Sequence, residues 1–102
     1  MDIDDVAQVA AGLEGVREQP RGDRRGWYLD GRLVAREDEP GFLLVRCDLD
    51  RRERLLHAAP EVFSVTPRMQ AHLKVLVDLD AASVEEVTEV LEAAAELQRA
   101  AS

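Results

Sequence analysis

The sequence predicts an α+β domain in two layers, a single antiparallel sheet with helices on one face only. Three observations favour this class. Helical and strand periodicities follow one another in the order α-β(3–4)-α-β(1–2)-α, the strands are short and joined by turn signals, and 102 residues leave room for one modest core. We therefore expect a single domain that covers residues 1–102.

The first helix is predicted over residues 2–13, because Val6, Val9 and Leu13 recur at helical spacing. Three aspartates near its start favour the positive end of the helix dipole. Gly15 is expected to close the helix. The segment R-G-D-R-R at residues 21–25 is predicted to be an exposed loop.

Two strands are predicted on either side of Asp30-Gly31, which is the strongest hairpin signal in the chain. A third strand is expected in the apolar run at residues 42–45. The last strand is expected to alternate along residues 73–77, where Leu76 points away from the helices. The side chains predicted to face the helices are Trp27, Leu29, Leu33, Ala35, Leu73, Val75 and Val77.

The two remaining helices are predicted from capping signals. Asp48 or Asp50 is expected to begin a helix that runs to about Ala59, and Glu53 is placed to pair with Asp50. The segment Ser83-Val84-Glu85-Glu86 forms a capping box at the start of the last helix.

One layer of helices leaves the second face of the sheet open. On the predicted alternation this face carries Tyr28, Val34 and Leu76, and it would be unusually apolar. Burial of this surface in a partner, such as a second copy of the chain, is the simplest way to remove it from water. The sequence therefore suggests an interaction surface and a homodimer.

The formal charge of −8 is unevenly distributed. Residues 1–16 carry −4 and residues 78–102 carry −6, whereas residues 17–77 carry +2. No apolar run is long enough to cross a membrane, the first residues are acidic rather than basic, and there is one cysteine. These features favour the cytoplasm and give no indication of a membrane partner.

The arginines of the central segment are the candidates for phosphate contacts. The predicted nucleic-acid-binding residues are Arg21, Arg24, Arg25, Arg32, Arg36, Arg46, Arg68, His72 and Lys74. The alternative is an ordinary solvated hairpin whose arginines pair with neighbouring acids, since the segment has only a small surplus of positive charge.

Catalytic, metal and cofactor sites have little support in the sequence. The two histidines are 15 positions apart, and Cys47 is the single cysteine, so the spacings typical of zinc ligands are missing. Ser83 is expected to be a helix cap, and no glycine-rich phosphate loop is present. We expect a protein that is not an enzyme and that binds neither metal nor cofactor.

An ordered series of short motifs resembles the MmcQ/YjbR-like family of small bacterial proteins. The series is Leu13-Glu14-Gly15-Val16, Asp30-Gly31-Arg32-Leu33-Val34-Ala35, Leu43-Leu44-Val45-Arg46, Pro60-Glu61-Val62-Phe63, Thr66-Pro67 and Val75-Leu76-Val77-Asp78-Leu79. The resemblance covers about Val6 to Leu97. It implies a CyaY-like or secretion-chaperone-like fold and DNA binding through arginine-bearing hairpin wings. Relatives usually have a tryptophan just before the last strand, where this chain has Gln70-Ala71-His72-Leu73-Lys74.

Two functions follow from the sequence. The first is a non-catalytic domain that binds DNA through the arginine-bearing hairpins. The alternative is a protein-interaction or homodimerisation module, or a binder of a peptide or small ligand, that uses the open face of the sheet and does not bind nucleic acid.

Overall fold

The computed structural model describes residues 1–101. Its three α-helices are α1 (Ile3–Ala11), α2 (Leu49–Ala58) and α3 (Val84–Ala100). Its six strands are β1 (Val16–Glu18), β2 (Gly26–Leu29), β3 (Arg32–Glu37), β4 (Phe42–Arg46), β5 (Phe63–Ser64) and β6 (Lys74–Asp78). A short 3₁₀ turn, Pro67–Met69, lies between β5 and β6.

The six strands form one sheet in the order β1-β2-β3-β4-β6-β5, and every pair of neighbours is antiparallel. The α+β class and the predicted order of helices and strands are therefore confirmed. The long central pairing is between β4 and β6, where Leu44 lies opposite Leu76 and Val45 opposite Val75.

Local signals begin and end the elements largely as the sequence predicts. Ser83 accepts a hydrogen bond from the backbone N–H of Glu86, and the Glu86 side chain accepts one from the N–H of Ser83. Asp48 begins α2 by accepting from the Arg51 N–H at 2.8 Å, so Asp48 rather than Asp50 is the N-cap. Each cap satisfies an N–H that the helix itself leaves unpaired.

The β2–β3 hairpin turns at Asp30 and Gly31, whose φ values are 50° and 77°. Two successive residues with positive φ give the turn whose twist matches that of the flanking strands. Helix α1 ends at Ala11, two residues earlier than predicted, and its C-cap is Gly12 rather than Gly15. Gly15, with a φ of 81°, lies in the turn that follows the helix.

The core lies between the helices and one face of the sheet. Val75 and Val77 of β6, like Val45 of β4, are fully buried in it, as are Val87 and Leu91 of α3. The inward direction predicted for Trp27, Leu29, Ala35, Val75 and Val77 is confirmed.

The prediction that Leu33 faces the helices and Val34 the open side is wrong. Trp27 pairs with Ala35 but Tyr28 pairs with Leu33, so Val34 is an extra residue in β3. Such a bulge changes the alternation of side chains along the strand. Val34 is fully buried in the helix-side core, and Leu33 shares the face of its partner Tyr28.

The start of β6 also differs from the expectation. Leu73 precedes the strand and is 42% exposed, so the prediction that it faces the helices is wrong. Its backbone carbonyl accepts a hydrogen bond from the Cys47 N–H. Within the part of the chain that the structure describes, no helix combines the length and the apolar character needed to cross a membrane.

Candidate nucleic-acid interface

The open face of the sheet contains a groove of about 510 Å³, which we call the basic groove. Its floor is formed by Leu44 of β4 and Leu76 of β6, which lie opposite each other. The acids Asp38 and Glu39 lie on its β3 side. The basic side chains that line it are Arg24, Arg36, Arg68, His72 and Lys74.

Strand pairing places two of these cations. Arg36 of β3 pairs with Leu44, and Leu44 pairs with Leu76, so the three residues form a row across the sheet. Lys74 is two residues before Leu76 on the same strand and therefore lies on the same face. Since strands are about 4.8 Å apart, the groove spans about 10 Å between β3 and β6.

Loops position the other three basic side chains of the groove. Arg68 belongs to the 3₁₀ turn, which begins at Pro67, and His72 follows it; both side chains are exposed. Arg24 comes from the β1–β2 loop on the opposite side of the groove. Five of the nine predicted nucleic-acid-binding residues are therefore brought to one concave surface from four separate segments of the chain.

The groove cations have few acidic partners. Arg24 has one weak ion pair, with Asp38 at 3.6 Å. Within residues 1–101, Arg36, Arg68, His72 and Lys74 take part in no ion pair with an acid.

The β1–β2 loop adds a fourth arginine beside the groove. Arg21 and Arg24 exchange backbone hydrogen bonds of 2.9 and 3.2 Å across a turn in which Gly22 has a φ of 64°. The Arg21 guanidinium stacks over the Tyr28 ring, 5.1 Å from its centre. This contact fixes Arg21 on the open face and covers the ring.

The tyrosine ring also depends on a glycine. A Cβ atom at Gly26 would lie 3.0 Å from Cε1 of the Tyr28 ring, so a side chain there would require the ring to shift by a few tenths of an ångström. Arg17, which the sequence analysis did not select, pairs with Tyr28 on β1 and is exposed on the same face.

Two predicted arginines lie away from the groove. Arg25 donates to Glu18 at 2.8 Å and to Asp4 of α1 at 2.7 Å, and it lies over the Trp27 ring. The hydrogen bond from Arg25 lowers the pKa of Glu18, and the same contact raises the pKa of Arg25. Arg32 donates to the carbonyl of Ala101 after α3.

Arg46 has a structural position on the open face. Its guanidinium donates to the carbonyl of Leu73 at 2.8 Å and to that of Cys47 at 3.2 Å, which joins the end of β4 to the start of β6. Its donors are thus partly occupied, and it does not line the groove.

Arg52 of α2 is a second residue that the sequence analysis did not select. It is 4% exposed, and its guanidinium donates to the carbonyls of His72 at 2.6 Å and Gln70 at 3.1 Å. It therefore holds the loop that carries Arg68 and His72. The sequence feature that indicates burial of Arg52 is its spacing. It lies three and four residues before Leu55 and Leu56, on the side of the helix that packs against the core.

The open face exposes less apolar surface than predicted. Tyr28, Leu44 and Leu76 are only 8%, 2% and 8% exposed. Among the described residues the exposed large apolar side chains are Leu49, Leu73 and Val84, and none belongs to the groove floor. The prediction of an unusually apolar open face is therefore wrong, because these apolar residues are nearly buried within the single chain, and Arg21 lies over the Tyr28 ring.

The remaining candidates for chemistry are separate from the groove. Cys47 is buried, and burial raises the pKa of its thiol to about 11. Within residues 1–101 no three His, Cys, Asp or Glu side chains come together as ligands for a metal ion.

Comparison with known proteins adds one relationship. No family model matches the sequence, and no curated protein matches it. The structure is similar to the crystal structure of the Deinococcus radiodurans protein DR2400, which is described as a DUF419 domain. The TM-score is 0.78 with 23% identity, over 94% of this chain and 77% of the other. The chain has the fold of a DUF419 domain. At this identity the likeness concerns the fold alone.

Proposed function

We propose that this protein is a non-catalytic domain that binds nucleic acid through the basic groove of its open sheet face. The single observation that supports the proposal is the convergence of five basic side chains, four of them without an acidic partner in residues 1–101, on one concave surface. Phosphate contacts by such side chains release counterions, which supplies most of the affinity of a nucleic-acid-binding protein.

The net charge of −8 does not oppose this proposal at the groove itself. Acids are concentrated at the N-termini of α1 and α3, in Asp2, Asp4, Asp5, Glu85 and Glu86, and these helices cover the other face of the sheet. At physiological salt, exposed charges more than about 8 Å apart are largely screened from each other. The groove therefore attracts a phosphate nearly independently of the acids on the helix side. Those acids repel phosphates, so they turn the helix side away from the nucleic acid.

Membership of the MmcQ/YjbR-like family is part of the proposal. DUF419 is an MmcQ/YjbR-like family, and the sequence motifs and the fold agree with it. Compared with the sequence-based interface, the proposed one keeps Arg21, Arg24, Arg36, Arg68, His72 and Lys74. It leaves out Arg25, Arg32 and Arg46, whose donors are engaged elsewhere.

The test is fluorescence anisotropy of a labelled oligonucleotide at low salt, with the double variant Arg36→Glu/Arg68→Glu. We expect the wild-type protein to bind and the variant to lose at least about a hundredfold in affinity, since two attractive contacts become repulsive. The matched control is Arg51→Glu/Arg54→Glu on α2, which makes the same change in net charge outside the groove. Equal losses in the two variants, or no binding by the wild type, would contradict the proposal.

The alternative, a homodimerisation or protein-interaction module, uses the same face. It would be favoured by exposed apolar side chains there, but Leu44 and Leu76 are nearly buried within the single chain. Sedimentation equilibrium at high micromolar concentration separates the two. A monomer agrees with the groove proposal, and a dimer that dissociates in the Arg36→Glu/Arg68→Glu variant would favour the alternative.

A further inference from the structure

We infer that the nucleic-acid site extends beyond the basic groove to a second phosphate-binding subsite, formed by Arg17 of β1 and Arg21 of the β1–β2 loop. The inference rests on the proposed function and adds the direction in which the nucleic acid crosses the molecule, from β6 to β1. It is carried by the strand register, by the contact of Arg21 with Tyr28 and by the positions of the neighbouring acids.

The first step places Arg17. It lies directly opposite Tyr28 in the β1–β2 pair, so the two side chains share the open face. Gly26, two residues before Tyr28, lies opposite Arg36 of the groove. A Cβ atom at Gly26 would meet the Tyr28 ring and, at 3.2 Å, its hydroxyl oxygen. The ring therefore covers Gly26 and joins the surface of Arg17 to that of Arg36.

The second step concerns Arg21, which two contacts hold on the same face. Its backbone exchanges hydrogen bonds of 2.9 and 3.2 Å with Arg24, and its guanidinium lies 5.1 Å from the centre of the Tyr28 ring. A guanidinium that lies over a ring keeps its N–H donors for other partners, such as a phosphate. Arg17 and Arg21 are both exposed, and within residues 1–101 neither forms an ion pair. The ring therefore positions Arg21 without occupying its hydrogen-bond donors.

The third step concerns the acids of the same segment. Glu18 follows Arg17 but pairs with Trp27, so it lies on the helix side of the sheet, where Arg25 binds it at 2.8 Å. Asp23 is the only other acid between residues 17 and 28. With Arg25 engaged by Glu18, a single acid opposes the three remaining arginines of the segment. The open side of this segment therefore keeps a surplus of positive charge.

The fourth step concerns distance. Arg17 on β1 and Lys74 on β6 are separated by four strand spacings, or about 19 Å, and Arg36 on β3 lies midway. Successive phosphates in one strand of a duplex advance by about 3.4 Å along its axis, so this distance corresponds to about six nucleotides. A longer nucleic acid that crosses the strands therefore contacts the groove and the second subsite at once, through separate phosphates.

The experiment measures the binding of a labelled oligonucleotide of about 18 nucleotides, as a single strand and as a duplex, because this length exceeds the distance between the subsites. We expect Arg17→Ala and Arg21→Ala each to lower the slope of log K against log salt by about 0.7–0.9, since one phosphate contact is lost. Arg17→Lys keeps the charge and should retain the slope. Arg17→Glu should weaken binding about tenfold. Its control is Arg54→Glu, the same change of charge at an exposed position of α2, which should alter binding by less than about twofold.

The outcomes separate the inference from the proposal beneath it. Binding by the wild type with an unchanged salt slope in Arg17→Ala and Arg21→Ala overturns the second subsite and leaves the groove in place. Equal losses of affinity in Arg17→Glu and Arg54→Glu also overturn the subsite, because net charge alone would then explain both. Failure of both probes to bind at tens of micromolar wild-type protein overturns the proposed function, and the second subsite with it.

Discussion

The guanidinium of Arg52 donates a hydrogen bond of 2.6 Å to the backbone carbonyl of His72, twenty residues later in the chain. Through this contact α2, which packs on the helix side, fixes a loop that forms one wall of the basic groove on the other side of the sheet. A second donor reaches the carbonyl of Gln70, so the loop is held at two points. The position of Arg68 and His72 thus depends on a buried residue that does not itself line the groove.

Replacement of Arg52 by Met should lower the free energy of unfolding by about 2–4 kcal/mol, because carbonyls that are partly buried lose a charged donor. Urea unfolding followed by circular dichroism measures the loss. The control is Arg54→Met on the exposed side of the same helix, which should change stability by less than about 0.5 kcal/mol. Equal effects of the two substitutions would contradict the structural role of Arg52.

The salt dependence of binding should identify the phosphate contacts. Replacement of Arg36 and Arg68 by Ala should reduce the slope of log K against log salt by about 1–2, because each lost contact releases about one counterion fewer. Arg25→Ala should leave the slope unchanged, since Arg25 is bound to Glu18 and Asp4. A reduced slope in the Arg25 variant alone would place the interface around Arg25, beside Glu18 and Asp4, instead of in the groove.

Val75→Asp should prevent folding. Val75 is fully buried opposite Val45, and an unpaired carboxylate there costs more than a domain of this size can lose. Far-UV circular dichroism and the loss of a cooperative melt report the result. Val84→Asp is the matched control, because Val84 is 60% exposed and lies in the first turn of α3, where an acid is favourable. A folded Val75→Asp protein would contradict the inward direction of this strand face.

The thiol of Cys47 should make stability depend on pH in the alkaline range. Burial raises its pKa in the folded protein to about 11, from the 9.0 that is usual for a cysteine thiol. The folded state therefore holds the proton over a range where the unfolded chain releases it. The resulting stabilisation is present below about pH 9 and is lost as the pH rises to about 11.

The measurement is the difference in unfolding free energy between wild type and Cys47→Ala across that range. We expect wild type to lose stability relative to the variant as the pH rises. A constant difference would mean that the thiol is accessible to solvent. In the native protein at about pH 8 the thiol should also react slowly with a disulfide reagent, and unfolding should accelerate the reaction.

Local signals in the sequence determined most of the fold. The Asp30-Gly31 turn, the capping box of Ser83 and Glu86 and the alternation of Val75 and Val77 each depend on neighbouring residues only, so they predicted the elements and their order. The helix-side core follows from them, because each amphipathic element has a single apolar face to bury.

Tertiary structure decided the groove. Because of the bulge in β3, Val34 faces the helices and Leu33 faces the open side, the reverse of the prediction. A single extra residue in a strand leaves no clear signal in the sequence. The sequence did not distinguish the arginines that form ion pairs with distant residues from those that line the groove. Arg25 binds Asp4, whereas Arg68 lies on the open face. Contacts across the sheet bring together residues far apart in the chain, and a local pattern of residue types does not contain that information.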